Sequence, residues 1–108
     1  MKKKVFISLP MSGLSDDVVF DNLVSAKEEY LDRNRLHLDD VVFVDNLSAP
    51  RPFSIIPMSN YGVWYLGHAI IKLSQCDEAF FFGNWKEARG CQIEHEVCEK
   101  YGIPFTEV

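Results

Sequence analysis

The sequence predicts a single α/β domain built on a doubly wound parallel sheet of four to five strands, with helices on both faces, as in Rossmann-like and flavodoxin-like proteins. Short runs rich in β-branched and aromatic residues alternate with longer segments of helical periodicity. The strand runs are apolar nearly throughout, which is typical of parallel strands covered on both sides. The 108 residues, 47% of them hydrophobic, suit one domain that spans residues 1–108.

The first half of the chain supplies two strands and a helix. Residues 5–9 (VFISL) predict the first strand, which ends at Pro10. A helix then begins near residues 15–17, because a serine followed by two aspartates suits a helix N-terminus. Its apolar face is predicted to contain Val19, Leu23, Ala26 and Tyr30. Val41–Val44 predicts a second buried strand.

The second half supplies the remaining elements. Residues 45–60 hold three prolines and little periodicity, which is typical of a functional loop or an insertion. Residues 61–75 predict a second helix, residues 79–82 a third buried strand and residues 90–101 a third helix. Residues 103–106 predict a short final strand.

A glutamate interrupts the apolar pattern of the third helix. The spacing of three and four predicts a face made of Gly90, Cys91, Glu94, Val97, Cys98 and Tyr101. A buried carboxylate is costly unless it is paired or used in chemistry. Ligands of parallel sheets bind beyond the carboxyl ends of the strands, and Glu94 follows the third strand by one loop. We therefore predict that Glu94 is catalytic and points into a ligand site; the alternative is that it reaches solvent at the helix start.

The loop after the first strand is a candidate ligand contact. Met11, Ser12 and Gly13 stand between that strand and the first helix. Gly13 permits a tight turn, while Ser12 and free backbone amides can hold a phosphate or a sugar hydroxyl. The alternative is an ordinary strand-to-helix turn.

The loop after the third strand is the second candidate contact. Trp85 is expected either to wall the site or to anchor the loop. Arg89 carries positive charge at a helix N-terminus, a placement that is tolerable if it faces an anion. Gly90 leaves space above Glu94.

Aromatic and histidine side chains are weaker indicators. Tyr61, Trp64 and Tyr65 suit either stacking on a base or a core or subunit contact, and the second interpretation is favoured for at least two of them. The helical periodicity places His68 near the predicted site and His95 on the solvent side of the third helix.

Charge and composition exclude several classes of partner and cofactor. The net charge of −5 argues against a surface that binds duplex nucleic acid, since such surfaces need clustered cations. The sequence has no apolar run long enough to cross a membrane, and no signal peptide is expected. The three cysteines lack the paired spacing of a zinc site, so we expect no metal and reduced thiols in the cytoplasm.

Three segments together resemble a known family. ISLPMSG near the start, LSQCDEAFFFGNW, and RGCQIEHEVCEKYGIP resemble the nucleoside 2-deoxyribosyltransferase superfamily. The match is closest to its small branch of unknown function (DUF4406-like) and spans residues 5–105.

The resemblance implies N-glycosidic bond cleavage or deoxyribosyl transfer on a nucleoside or nucleoside 5′-monophosphate. By its distance to Gly102 and Pro104, Glu94 matches the family's glutamate nucleophile, which attacks C1′ and forms a glycosyl ester. Asp77 matches an aspartate that is largely structural. The resemblance further implies no cofactor and a homodimer or larger homo-oligomer.

Departures from the family pattern leave alternatives open. Ala69, with His68 beside it, stands where the family often has an aspartate that orients or protonates the substrate. Ala88 replaces a common serine, and Asn46–Leu47 replaces an asparagine–proline pair. The alternatives are a non-catalytic nucleotide-binding module, a glycohydrolase acting on NAD-like dinucleotides, and a structural homo-oligomer with a vestigial pocket.

Overall fold

The predicted doubly wound α/β fold is confirmed. The computed structural model describes residues 2–47 and 60–108. Within them, four parallel strands and three α-helices alternate: β1 (Lys3–Ser8), α1 (Asp16–Asn34), β2 (Val41–Val44), α2 (Tyr61–Ser74), β3 (Glu78–Phe81), α3 (Arg89–Tyr101) and β4 (Phe105–Glu107). Short 3₁₀ turns precede β2 and α3, at Leu38–Asp40 and Trp85–Glu87.

The order of the strands creates the crevice that such folds use for ligands. The order across the sheet is β2-β1-β3-β4. The chain steps from β1 to β2 on one side, and then crosses back to β3 on the other side of β1. The carboxyl ends of β1 and β3 therefore flank a topological switch point.

Alternating strand residues fill two cores, one on each face of the sheet. Val5, Ile7 and Phe80 pack against α1, whose buried residues are those that the periodicity predicts. Phe6 and Phe81 face the other way. They pack against buried residues of α2 and α3: Ala69, Leu73, Cys91 and Cys98. Helices therefore cover both faces, as predicted.

Three details of the predicted elements need correction. β2 is only partly buried, with Val42 39% exposed, because it is an edge strand with one neighbour. Tyr101 is 79% exposed, because it ends α3 beyond Cys98, the last residue of that helix that packs in the core. The final strand begins at Phe105, after Pro104, whose ring nitrogen cannot donate a ladder hydrogen bond.

Candidate active site

Glu94 forms a buried link between α3 and the central strand. It is 7% exposed, in agreement with its predicted place on the buried face of α3. Ser8, the last residue of β1, is 2% exposed. Its hydroxyl donates a hydrogen bond of 2.6 Å to Oε1 of Glu94. The carboxylate is thereby held at the switch point, where β1 and β3 end.

The environment of Glu94 changes its acidity. Burial raises the pKa of its carboxyl group to about 7, and the hydrogen bond from Ser8 opposes part of this rise. Near neutral pH the group is therefore present both as carboxylate and as carboxylic acid. A carboxylate poised in this way suits either nucleophilic or acid–base chemistry.

A cavity of about 1060 Å³ opens beside Glu94. Both α1 and α2 contribute to its apolar wall, for example through Leu23 and Leu66. Loops at the carboxyl ends of the strands and the start of α3 supply the charged groups. These are the carboxylates Asp45 and Glu87 and the guanidinium of Arg89. With Glu94, the described lining holds three carboxylates and one cation.

The loop after β1 reaches the cavity in part. Gly13 has a φ of +79°, and the amide of Leu14 donates to the carbonyl of Met11 at 3.3 Å. This closed turn needs the glycine, as the sequence predicts. Met11 and Ser12 line the cavity, whereas Gly13 does not. Ser12 is thus the polar side chain that this loop offers to a ligand.

The N-terminus of α3 faces the same cavity. Ala88 precedes the helix without a side-chain cap, in contrast to Ser15, which accepts a hydrogen bond from Val18 at the start of α1. Arg89 and Gly90, the first residues of α3, both line the cavity. Uncapped first-turn amides and a guanidinium give this wall a positive potential.

The family to which the chain belongs follows from its sequence match. The model of a family described as a domain of unknown function, DUF4406, matches residues 3–107. The chain belongs to the DUF4406 family. The predicted DUF4406-like family is therefore confirmed. No curated protein matches the sequence.

Three other candidate site residues of this DUF4406 domain do not line the cavity, which corrects the expected place of His68 and that of Trp85 as a wall of the site. Trp85 is 6% exposed because it stacks on His95 at 4.4 Å between ring centroids, inside the core. Asp77 accepts a hydrogen bond of 2.8 Å from the amide of Lys4 at the opposite edge of the sheet. His68 packs on Trp64 at 4.1 Å, and its neighbour Ala69 lines the cavity instead.

His95 also differs from its predicted solvent position. Its side chain is 17% exposed and packs on the rings of Phe81 and Trp85. Its ring nitrogens lie 3.2 Å from Glu99 and 2.9 Å from Glu107. These contacts link α3 to β4, so His95 has a structural role and lies outside the cavity.

Two polar residues of the site have no assigned role in the sequence-based prediction. Ser8 was detectable as a polar residue inside the otherwise apolar run of β1. Asn46 lines the cavity just after β2. Its Nδ2 donates to the carbonyl of Tyr65 at 3.1 Å, and its Oδ1 is buried without a partner among the described residues. No spacing rule points to such an orphaned oxygen.

Thiols and candidate metal ligands add no further chemistry to the site. Cys76, Cys91 and Cys98 are free, and burial raises the pKa of Cys91 and of Cys98 to about 11. These thiols stay protonated and are weak nucleophiles near neutral pH. Within residues 2–47 and 60–108, no three potential ligands are grouped to hold a metal ion. No helix in these two segments is long and apolar enough to span a bilayer.

Proposed function

We propose that this DUF4406 domain cleaves or transfers the N-glycosidic bond of a nucleoside or nucleoside 5′-monophosphate, with Glu94 as the nucleophile. The observation that carries the proposal is the state of the Glu94 carboxylate. It is buried, held by one hydroxyl and open to a cavity at the switch point of the sheet. The link to nucleoside 2-deoxyribosyltransferases is part of the proposal and rests on the resemblance of the motifs.

The reaction uses the two oxygens of Glu94 differently. Ser8 holds Oε1, while Oε2 has no hydrogen-bond partner in the described part of the chain. Oε2 attacks C1′ of the sugar as the bond from C1′ to the base nitrogen breaks. The electron pair of that bond leaves with the base, which takes up a proton from solvent water. Water, or the nitrogen of a second base, then attacks C1′ of the glycosyl ester and regenerates the carboxylate.

One phosphate fits the charge of the cavity better than two. Arg89 and the uncapped amides of α3 form the positive wall, and Ser12 lines the same cavity. The other charged groups of the described lining are Asp45, Glu87 and Glu94. A pyrophosphate would meet these carboxylates, so we rank a monophosphate or a neutral nucleoside above an NAD-like dinucleotide.

A non-catalytic nucleotide-binding module is the second candidate. The observation in its favour is the absence of a proton donor at Ala69, which lines the cavity as a methyl group. His68, the neighbouring titratable group, packs against Trp64 instead. Departure of an unprotonated base is slow, so such a site would bind a nucleotide with little or no turnover.

We also propose a homo-oligomer in the cytoplasm with a small-molecule ligand, and with neither duplex nucleic acid nor membrane as a partner. Tyr61, Val63 and Ile71 expose 54–62% of their surfaces along α2, which suits contact with a second copy. The three free thiols suit a reducing compartment. Light scattering coupled to size exclusion tests the oligomer, and a monomer at micromolar concentration contradicts it.

The proposal is tested by base release. The parent protein is incubated with ribonucleosides, 2′-deoxynucleosides, their 5′-monophosphates and NAD, and the free base is measured by chromatography. The parent should release base from one class, and Glu94→Gln should lower the rate by roughly two to four orders of magnitude. Glu96→Gln is the matched control, since Glu96 lies on the exposed face of the same helix. Equal rates in the parent and Glu94→Gln contradict the proposal.

Binding separates the two candidate functions. Ligand affinity is measured by calorimetry on the parent and Glu94→Gln with the same panel. Nucleotide binding without base release assigns the binding module, whereas base release assigns the glycosidase. If Arg89 holds a phosphate, the monophosphate should bind roughly 10- to 100-fold more tightly than its nucleoside, and Arg89→Ala should narrow that gap.

A further inference from the structure

Four exposed apolar side chains line the cavity into which Glu94 opens. They are Met11, Leu14, Val18 and Ile93, each 36–44% exposed, and we call them the apolar rim. They come from the loop after β1 and from the beginnings of α1 and α3, at the carboxyl edge of the sheet. Exposed apolar side chains that gather at a cavity are typical of a surface that a ligand covers.

The proposed reaction directs the base toward this rim. Glu94 is 7% exposed, so its carboxylate lies at the buried end of the cavity, whereas the more exposed rim lies at the opening. In a displacement at C1′, the attacking oxygen and the departing nitrogen are on opposite sides of that carbon. When C1′ lies against Glu94, the base therefore extends from the sugar toward the opening.

The size of the cavity leaves room for a group attached to the base. Arg89 and the uncapped amides of α3 suit the phosphate, and Glu94 contacts the sugar at C1′. The cavity of about 1060 Å³ lies at the upper end of the range, roughly 300–1,000 Å³, in which proteins bind drug-sized ligands. A nucleoside 5′-monophosphate is no larger than such a ligand, so space remains beside the rim.

We propose that the apolar rim binds an apolar substituent of the base, so that the preferred substrate is a nucleoside or nucleoside 5′-monophosphate whose base carries an alkyl group. This inference rests on the function proposed above. An alkyl group in contact with the rim removes apolar surface of both partners from water. Each fully buried methylene raises affinity roughly fourfold, so a propyl group at this partly exposed rim should raise it roughly 10- to 50-fold.

The test measures binding by calorimetry to Glu94→Gln, in which turnover does not interfere. Two series of 5′-monophosphates are compared, each with ribose and with 2′-deoxyribose: adenine substituted on its exocyclic nitrogen, and uracil substituted at C5. The substituents are hydrogen, methyl, propyl and 2-hydroxyethyl, the last being similar in size to propyl but polar. In at least one series, propyl should bind roughly 10- to 50-fold more tightly than hydrogen, and 2-hydroxyethyl should gain much less. The series that shows the gain identifies the point of attachment.

Two double variants locate the gain. Val18→Asn with Ile93→Asn places polar groups on the rim and, added to Glu94→Gln, should remove most of the gain from propyl. Phe20→Asn with Tyr101→Asn is the matched control, which should keep the gain. Phe20 and Tyr101 belong to the same two helices, are 56% and 79% exposed, and do not line the cavity. Thermal unfolding checks that each variant is folded, and the comparison of substituents in Glu94→Gln alone does not depend on the rim variants.

Three outcomes overturn the inference and leave the glycosidase in place if the parent releases base. The first is equal affinity for hydrogen and propyl in both series. The second is an equal gain from propyl and 2-hydroxyethyl, since the rim would then respond to size and not to apolarity. The third is a rim variant that keeps the gain from propyl but loses the oligomer in light scattering, which assigns the rim to contact with a second copy.

The remaining outcomes bear on the proposed function as well. A gain from propyl that the rim variant loses and the control keeps, together with base release, supports both the inference and the glycosidase. The same gain without base release supports the role of the rim and overturns the glycosidase. Absence of binding by every nucleotide of both series overturns both.

Discussion

Two buried glutamates occupy opposite edges of the sheet, and their surroundings differ. Glu78 is 8% exposed and begins β3 at the amino edge. Glu94 is 7% exposed and lies at the carboxyl edge beside the end of β1. Equal burial alone therefore does not distinguish them. The difference lies in what surrounds each carboxylate.

Glu78 has both a hydroxyl and a cation as partners, and both contact its Oε1. The Tyr30 hydroxyl donates a hydrogen bond to it, and the Lys3 ammonium lies 2.9 Å away. Burial, and then Glu78 itself, raises the pKa of Tyr30, so that hydroxyl remains a donor. Glu94 has one hydroxyl and an open cavity. A buried carboxylate thus indicates function where no cation pairs with it and it is open to a cavity, and structure where a cation and a hydroxyl hold it.

The largest expected effect is on stability at alkaline pH. The pKa of Glu94 is about 7 in the folded protein, against 4.5 for an ordinary glutamate. The folded state therefore binds more protons than the unfolded state between these values, and the free energy of unfolding falls as pH rises through that range. Glu94→Gln should be more stable than the parent by up to about 3 kcal/mol at pH 8, with little difference below pH 5.

Urea unfolding of both proteins at pH 5 and pH 8 measures this difference. Glu96→Gln is the control, because Glu96 is an exposed residue of the same helix and should show no such dependence. A Glu94→Gln variant less stable than the parent at pH 8 would show that the carboxylate is supported as fully as Glu78. The comparison between the two glutamates would then fail.

At the amino edge of the sheet, replacing the buried glutamate is expected to lower the free energy of unfolding instead of raising it. Glu78→Ala leaves the buried Tyr30 hydroxyl without its acceptor, which should lower the free energy of unfolding by about 1–3 kcal/mol. Because Glu78 lies far from the cavity, ligand affinity should not change. Tyr30→Phe added to Glu78→Ala should recover part of the loss, since it removes the orphaned hydroxyl. If Glu78→Ala alters binding with no loss of stability, its structural role is contradicted.

Much of the fold could be predicted because the hydrophobic periodicity of most segments matches the faces that these segments bury. The apolar face of α1, the bounds of β2 and the place of Glu94 on the buried face of α3 all follow from periodicity. Periodicity reports the faces of an element, not its neighbours. It therefore did not show that β2 is an edge strand.

The candidate site was predictable only in part, because it depends on contacts across the sheet. The switch-point rule located Glu94 and Arg89, since it requires only the order of the elements. The contact of Ser8 with Glu94 and the orphaned oxygen of Asn46 depend on strand register. Trp85 was left as either a wall of the site or a loop anchor, because an aromatic residue in a loop gives no sign of whether it turns toward the cavity or the core. The structure agrees with the loop anchor.

A smaller effect is expected at Ser8. Its hydrogen bond lowers the pKa of Glu94, so Ser8→Ala should move that pKa further above its ordinary value. If ionised Glu94 attacks C1′, base release by Ser8→Ala should be roughly tenfold slower at pH 7, with a smaller loss at pH 9. Ser74→Ala is the control, because the Ser74 hydroxyl donates to the carbonyl of Ile71 and neither lines the cavity nor bonds Glu94. A uniform loss at every pH would instead mean that Ser8 acts through packing alone.

The smallest expected effect is at His68, the titratable neighbour of Ala69. Its ring packs on Trp64 at 4.1 Å, and it does not line the cavity in the described part of the chain. A general acid must reach the departing base directly or through one water. We therefore expect His68→Ala to leave the pH profile of base release unchanged, with turnover that is slow in both proteins. The measurement is the rate from pH 5 to pH 9. An optimum on the acidic side that the parent shows and the variant loses would identify His68 as the missing acid, and would give Glu94 the nearby titratable partner that Glu78 has in Tyr30.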